Sequence, residues 1–139
     1  MSDFKFYYPV EVRYGDLDPQ GHVNNAKYLT YFETARIHYK RKLGFFHEGQ
    51  SFLEIGVILA DLHITFHAPI EWARQLKVGV RTTRLGTKSM TVEQCILDTE
   101  TGELYASGEV ILVAYDYRQG KSIPIPEDWR ETISSFENL

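Results

Sequence analysis

The sequence predicts an α+β fold: five antiparallel strands in one sheet, with a single long helix laid across it. Three observations predict it. Apolar residues recur at every second position in several separate stretches; one stretch instead repeats at three- and four-residue spacing; and the order is strand, helix, then consecutive strands joined by short turns.

The first strand is marked by Phe4, Phe6, Tyr8, Val10, Val12 and Tyr14, with Lys5, Glu11 and Arg13 among the residues between them. Pro9 removes a ladder donor and so indicates a sheet edge or a bulge. Asp18-Pro19-Gln20-Gly21 places Asp, Pro and Gly at the first, second and fourth positions of a type I turn. Over 26–43, Tyr28, Phe32, Ala35, Tyr39 and Leu43 define the apolar face of a helix about 27 Å long, enough to cross a small sheet. Asn24 or Asn25 can cap its start. Lys40, Arg41 and Lys42 complement its C-terminal dipole, and Gly44 stands where a C-cap glycine belongs.

Alternation then returns. Leu62, Ile64 and Phe66 form a second strand that Pro69 breaks, and Leu76, Val78 and Val80 form a third; 90–97 and 104–117 are the fourth and fifth, joined by the Thr99-Glu100-Thr101-Gly102 turn. Trp129, Ile133 and Phe136 suggest a short docking helix after Pro124 and Pro126. Val110 to Val113 is apolar on both faces, which implies that the second face of the sheet is covered too, most simply by another subunit.

The 139 residues, with 43% hydrophobic content and no low-complexity tract, suit one domain spanning 1–139. A lone cysteine, Cys95, rules out an intrachain disulfide and a cysteine-based zinc site, and indicates a reducing compartment. No apolar run is long enough for a signal peptide or a membrane span, so a cytoplasmic protein without membrane association is expected. A net charge of −4 argues against binding nucleic acid. The acidic total hides one cationic stretch: 72–92 carries Arg74, Lys77, Arg81, Arg84 and Lys88 and no carboxylate. It suits an anionic ligand, or equally a strand edge blunted against aggregation.

The chemistry centres on Asp16-Leu17-Asp18, which lies just before the turn and the start of the long helix. Free amides at a helix start can hold a carbonyl oxygen as it gains negative charge, while a carboxylate opposite attacks or activates water. Residue chemistry leaves a second reading open, in which Asp18 only shapes the turn and His22, Asn24 and Asn25 only cap the helix. His63 and His67 do not suggest a metal pair, because strand positions four apart lie roughly 13 Å from each other.

The run from Val12 to Glu33, with Asp16-Leu17-Asp18-Pro19-Gln20-Gly21-His22-Val23-Asn24-Asn25-Ala26-Lys27-Tyr28 at its centre, resembles the opening of hotdog-fold acyl-CoA thioesterases of the 4-hydroxybenzoyl-CoA thioesterase family. Its Asp-Leu-Asp and His-Val-Asn-Asn-x-Lys-Tyr pieces are also similar to plant acyl-ACP thioesterases. Phe66-His67-Ala68-Pro69-Ile70 and Gly86-Thr87-Lys88-Ser89-Met90 extend the likeness over nearly the whole chain. The resemblance implies a hotdog fold, a five-stranded antiparallel sheet wrapped around one long helix, with active sites at the interface of a homodimer or homotetramer. It implies an acyl-CoA thioester hydrolase, with acyl-ACP as the alternative substrate, and no metal or other cofactor.

By the same resemblance Asp18 is the catalytic carboxylate, as nucleophile or general base. The backbone amide of Asn25 is the donor to the thioester carbonyl, its side chain standing where bacterial relatives often carry His. The acyl-ACP pattern Asp-x-Asn-x-His reads here as Asp18, Gln20 and His22, with a longer amide at Gln20 than the pattern has. Tyr28 is expected to bind substrate, and Arg81, Arg84, Lys88 and Ser89 to hold the phosphates of CoA. Tyr28, Tyr31, Phe32 and residues 44–50 are candidates for the acyl pocket. Two other classes stand beside hydrolysis. A non-catalytic acyl-thioester binding module would not need Asp18, and a hotdog hydratase would carry an Asp-x-x-x-x-His pattern that 26–43 lacks.

Overall fold

The computed structural model describes residues 4–45 and 55–139. The elements in order are β1 (Tyr7–Glu11), a 3-10 turn (Tyr14–Asp16), α1 (Asn25–Lys42), β2 (Ile55–Phe66), β3 (Gln75–Leu85), β4 (Ser89–Asp98), β5 (Leu104–Asp116), β6 (Lys121–Ser122) and α2 (Glu127–Glu137). The sheet is antiparallel with the order β1-β3-β4-β5-β2. To the five expected strands it adds the two-residue β6, which a turn through Gly120 at φ 68° folds back onto β5. As Pro9 indicates, β1 is an edge strand.

α1 is closed at both ends by the residues that mark it in the sequence. The Asn24 side chain accepts from the Ala26 N–H, and Gly44 at φ 86° supports two closing bonds, Gly44 N–H to Arg41 O and Phe45 N–H to Lys40 O. Its inner face then meets four strands in succession. Tyr39 bonds Thr82 of β3; Arg36 bonds Gln94 of β4; Phe32 packs on Gly108 of β5; and Tyr28 stacks edge-on with Phe66 of β2. One helical turn advances about 5.4 Å and one strand spacing is about 4.8 Å, so a contact on each successive turn means that the helix runs nearly across the strands. This is the hotdog arrangement.

The core is mostly apolar: Phe32, Ile70, Leu76, Val78, Val80, Ile96 and Val110 are sealed from solvent. Among the buried polar residues, Gln94 and Arg36 pair beneath α1. Gln94 is fully buried, accepting from the Arg36 guanidinium at 3.1 Å and donating to the Phe32 carbonyl at 3.0 Å. On β5, Val110 and Leu112 face α1 and are buried, whereas Ile111 and Val113 on the other face stay partly open. Among the described residues no helix is long and apolar enough to cross a membrane.

Candidate active site

The Asp18 turn forms as its residue types require. The Gly21 N–H bonds the Asp18 carbonyl at 3.0 Å with Gly21 at φ 81°, the Asp18 N–H bonds the His22 carbonyl at 2.8 Å, and Leu17 pairs with Val23. A type I turn followed by a left-handed glycine is the usual three-residue hairpin loop. The Asp18 side chain holds its own turn: Oδ1 accepts the N–H of Gln20 at 2.9 Å and that of His22 at 3.3 Å. Oδ2 takes no hydrogen bond from the described residues.

Beyond the hairpin, Val23 N–H bonds the Ile70 carbonyl and His22 pairs with Glu71, so the β2–β3 connection lies against it. Between the two is a cleft of about 320 Å³. Asp18, His22, Asn25 and Tyr28 line one side of it, and Phe66, His67 and Pro69 the other. Asn25 is the first residue of α1. In that first turn the Ala26 N–H is taken by the Asn24 side chain and the Lys27 N–H by the Asn24 carbonyl, while the Asn25 N–H has no acceptor among the described residues. Burial raises the Tyr28 phenol above its ordinary pKa, with the Asp18 charge adding to the rise and the Ile70 main chain opposing it, so Tyr28 is neutral and a donor at physiological pH.

Asp16, two residues before Asp18, points the other way. It is fully buried, and its carboxylate accepts the Arg13 N–H at 3.0 Å, the Arg13 guanidinium at 3.1 Å and the Tyr31 hydroxyl at 2.8 Å. Burial alone would raise its pKa. The Arg13 main-chain bond, the Tyr31 hydroxyl and the Arg13 guanidinium together outweigh it and hold the carboxyl below the ordinary range.

Of the residues singled out in the sequence, Asp18, His22, Asn25 and Tyr28 come together in the cleft. Gln20 is exposed and reaches Asp18 only through its main-chain N–H. The cationic set lies elsewhere. Arg81 falls between Val80 and Thr82, both buried beneath α1, so it projects from the far face of the sheet, where it pairs with Glu93 at 2.9 Å and covers the Phe4 ring. Arg84 and Lys88 are exposed at the β3–β4 turn, Lys88 within 3.4 Å of the Ser122 hydroxyl, and the Ser89 carbonyl closes the turn by accepting the Gly86 N–H. The register aligns Phe66, at the cleft, with Ala106, Ile96 and Val78. The β3–β4 turn begins some seven residues beyond Val78, roughly 25 Å along the sheet at the rise of a strand. Within one chain these cations do not reach the cleft.

Of the pocket candidates, residues 46–50 lie outside the described residues, and Tyr31 and Phe32 belong to the core. His67 was not among the expected site residues. It forms part of the cleft wall, with ring Nε2 2.7 Å from the Ser107 hydroxyl. The signal for it was its place in Phe66-His67-Ala68-Pro69-Ile70, a segment the family likeness already included.

Residues 12–133 match the family described as the thioesterase-like superfamily. The chain is 49% identical over 142 residues to the acyl-CoA thioesterase YbgC of Haemophilus influenzae, covering 100% of this chain and 99% of that protein. It is 25% identical over 127 residues to the long-chain acyl-CoA thioesterase FadM of Escherichia coli, covering 91% of this chain and 96% of that one. In structure it superposes, with a TM-score of 0.84 and 35% identity, on a Thermus thermophilus thioesterase complexed with coenzyme A and zinc, covering 100% of this chain and 99% of the other. The chain belongs to the thioesterase-like superfamily and is a thioesterase.

Proposed function

We propose that this chain hydrolyses acyl-CoA thioesters in the Asp18–Asn25 cleft. One observation carries the reading. Asp18 and Asn25 line one cleft, and a carboxylate oxygen, Asp18 Oδ2, and a helix-start amide, the Asn25 N–H, both lack partners among the described residues. With a thioester carbonyl between them, Asp18 takes a proton from water as the water oxygen bonds to the carbonyl carbon. The carbonyl oxygen becomes negative facing the Asn25 N–H, where such a donor is worth about 3 kcal/mol. Collapse breaks the C–S bond, and the departing thiolate receives the proton from Asp18. Direct attack by Oδ2 would use the same geometry and pass through an anhydride. In single turnover in oxygen-18 water, label on Asp18 would establish direct attack, with water opening the anhydride at its aspartyl carbon.

The names of the Haemophilus and Escherichia relatives support coenzyme A as the carrier, and the pantetheine thiol it shares with acyl-ACP makes the latter the natural comparison substrate. A homo-oligomer fits the same reading. β2 is 12 residues long, lies at the end of the strand order, and presents Ile58, Leu59 and Phe66 to solvent, all of which suit pairing with a second copy. A neighbouring chain could then bring its Arg84, Lys88 and Ser89 to the phosphates of a substrate held in this cleft, with Arg81 on the adjoining face.

The test is a panel of acyl-CoA and acyl-ACP thioesters assayed with a thiol reagent on wild type and Asp18→Asn, with the assembly state measured by sedimentation. Asp18→Asn should lower kcat at least about a hundredfold. Undiminished turnover in the variant rejects the site. No turnover of any thioester by wild type would instead favour a binding module.

A further inference from the structure

We propose that Asp16 is the positioning residue of this site, setting the gap between the Asp18 carboxylate and the Asn25 amide without touching the substrate. The proposal rests on the Asp18–Asn25 reading and adds to it the part that keeps the two halves in register.

Those halves come from different elements. Asp18 rides on a hairpin, and Asn25 opens a helix whose placement is set by the sheet beneath it. Asp16 is bonded to both. Its main-chain carbonyl accepts the N–H of Asn24, the cap immediately before Asn25, at 2.8 Å. Its carboxylate grips the Tyr31 hydroxyl, nearly two turns into α1, at 2.8 Å, and Arg13 at the exit of β1 through both main chain and guanidinium. Only Leu17 separates Asp16 from Asp18. The helix start, the helix body and the strand leading into the hairpin are therefore tied to a residue that is itself fully buried.

Burial makes the tie stiff. The sealed carboxylate has no water to replace its donors, and the buried Tyr31 hydroxyl would be left without its acceptor if the group moved, although the exposed Arg13 guanidinium would not. Asp18 has no comparable anchor, since its two bonds come from N–H groups within its own turn. The second arm of the hairpin is held by Val23 on Ile70 and His22 on Glu71, and on the Asp18 arm it is Asp16 that ties the reactive carboxylate to the body of α1. Attack geometry tolerates little error, and a displacement of about 1 Å can cost on the order of a hundredfold in rate.

A purely structural role would also destabilise the chain when disturbed, so the test pairs two deletions of the same kind. Tyr31 and Tyr39 are buried phenols on α1, each donating to a carboxylate, Asp16 at 2.8 Å and Glu137 at 2.6 Å, but only the first lies at the cleft end of the helix. Tyr31→Phe and Tyr39→Phe are compared with wild type for melting temperature, kcat and KM on an acyl-CoA, with Asp16→Asn as a third variant if it folds. Tyr31→Phe should keep KM within about twofold and lower kcat by about tenfold or more, while Tyr39→Phe loses a similar amount of stability and keeps its kcat. A kcat for Tyr31→Phe within about twofold of wild type, or equal losses in the two phenylalanine variants, overturns the proposal. Asp18→Asn in the same series separates the failures. If it is fully active, the Asp18 reading falls; if it is inactive while Tyr31→Phe is unimpaired, only the positioning role falls.

Discussion

The Phe32 ring occupies the space where Gly108 lacks a side chain: a Cβ on Gly108 would stand 2.8 Å from Phe32 Cε2 and 2.7 Å from the His63 carbonyl oxygen. α1 can lie this close to β5 only because that position is glycine, and the helix carries Tyr28, Tyr31 and Asn25 with it.

Gly108→Ala should therefore destabilise the fold by about 1–3 kcal/mol, because one of the two close neighbours is main chain of the adjoining strand and cannot rotate aside. Gly15→Ala is the control, with nothing within 4 Å of its added methyl and an expected change within about 0.5 kcal/mol. Denaturant midpoints decide the matter. Equal midpoints for the two variants would mean that the helix can lift away from β5 at no cost.

At the other end of α1, Glu137 docks the C-terminal helix. Its Oε2 accepts the Tyr39 hydroxyl at 2.6 Å and the Thr82 N–H at 2.9 Å, at a point where β3 slips in register against β4 between Thr82 and Arg84. Glu137→Ala leaves a buried hydroxyl and a strand N–H without this acceptor, and should cost about 1–3 kcal/mol. Amide exchange gives a sharper reading: Thr82 should lose protection in the variant while Val78, deeper in the same strand, keeps it. Unchanged protection at Thr82 would count against a docking role for Glu137.

What was legible in the sequence was local. α1 begins and ends where Asn24 and Gly44 indicate because capping depends on residues within one turn of the end. The Asp18 hairpin follows from its own turn residues in the same way. Features set by distant neighbours were not legible. Arg36 counts as polar in any helical pattern, yet it is buried because Gln94 of β4 stands opposite to receive it. β2 extends back to Ile55 through a stretch whose alternation is broken by a register shift between Leu59 and Asp61, so the period-two pattern revealed only its last part. In the site, the family likeness marked Asp18, but the sealed latch at Asp16 depends on Tyr31 arriving from the helix, and the distance of Arg84 and Lys88 from the cleft depends on sheet register.

Acid should weaken the fold in part through Asp98, at the end of β4. Its Oδ1 accepts the N–H groups of Thr101 and Glu100, and its Oδ2 accepts the Tyr105 hydroxyl at 2.9 Å and lies 3.3 Å from Arg74 Nε. The Thr101 main-chain bond is the largest influence. Burial opposes it, and with Tyr105, Glu100 and Arg74 acting in the same sense as Thr101 the carboxyl is held below its ordinary pKa. The unfolded chain then binds this proton more readily than the folded one. The contribution to stability is complete above the unfolded value of about 3.9 and is lost as pH falls from there through the lower folded value. Asp98→Asn should accordingly be less stable than wild type at pH 7, and the gap between their denaturant midpoints should narrow as pH is lowered past about 4. Asp16, held low in the same way, would keep the variant acid-sensitive, so the informative quantity is the difference between the two proteins. A gap that stays constant from neutral pH down to acid unfolding would show that the charge on Asp98 adds nothing to the turn it closes.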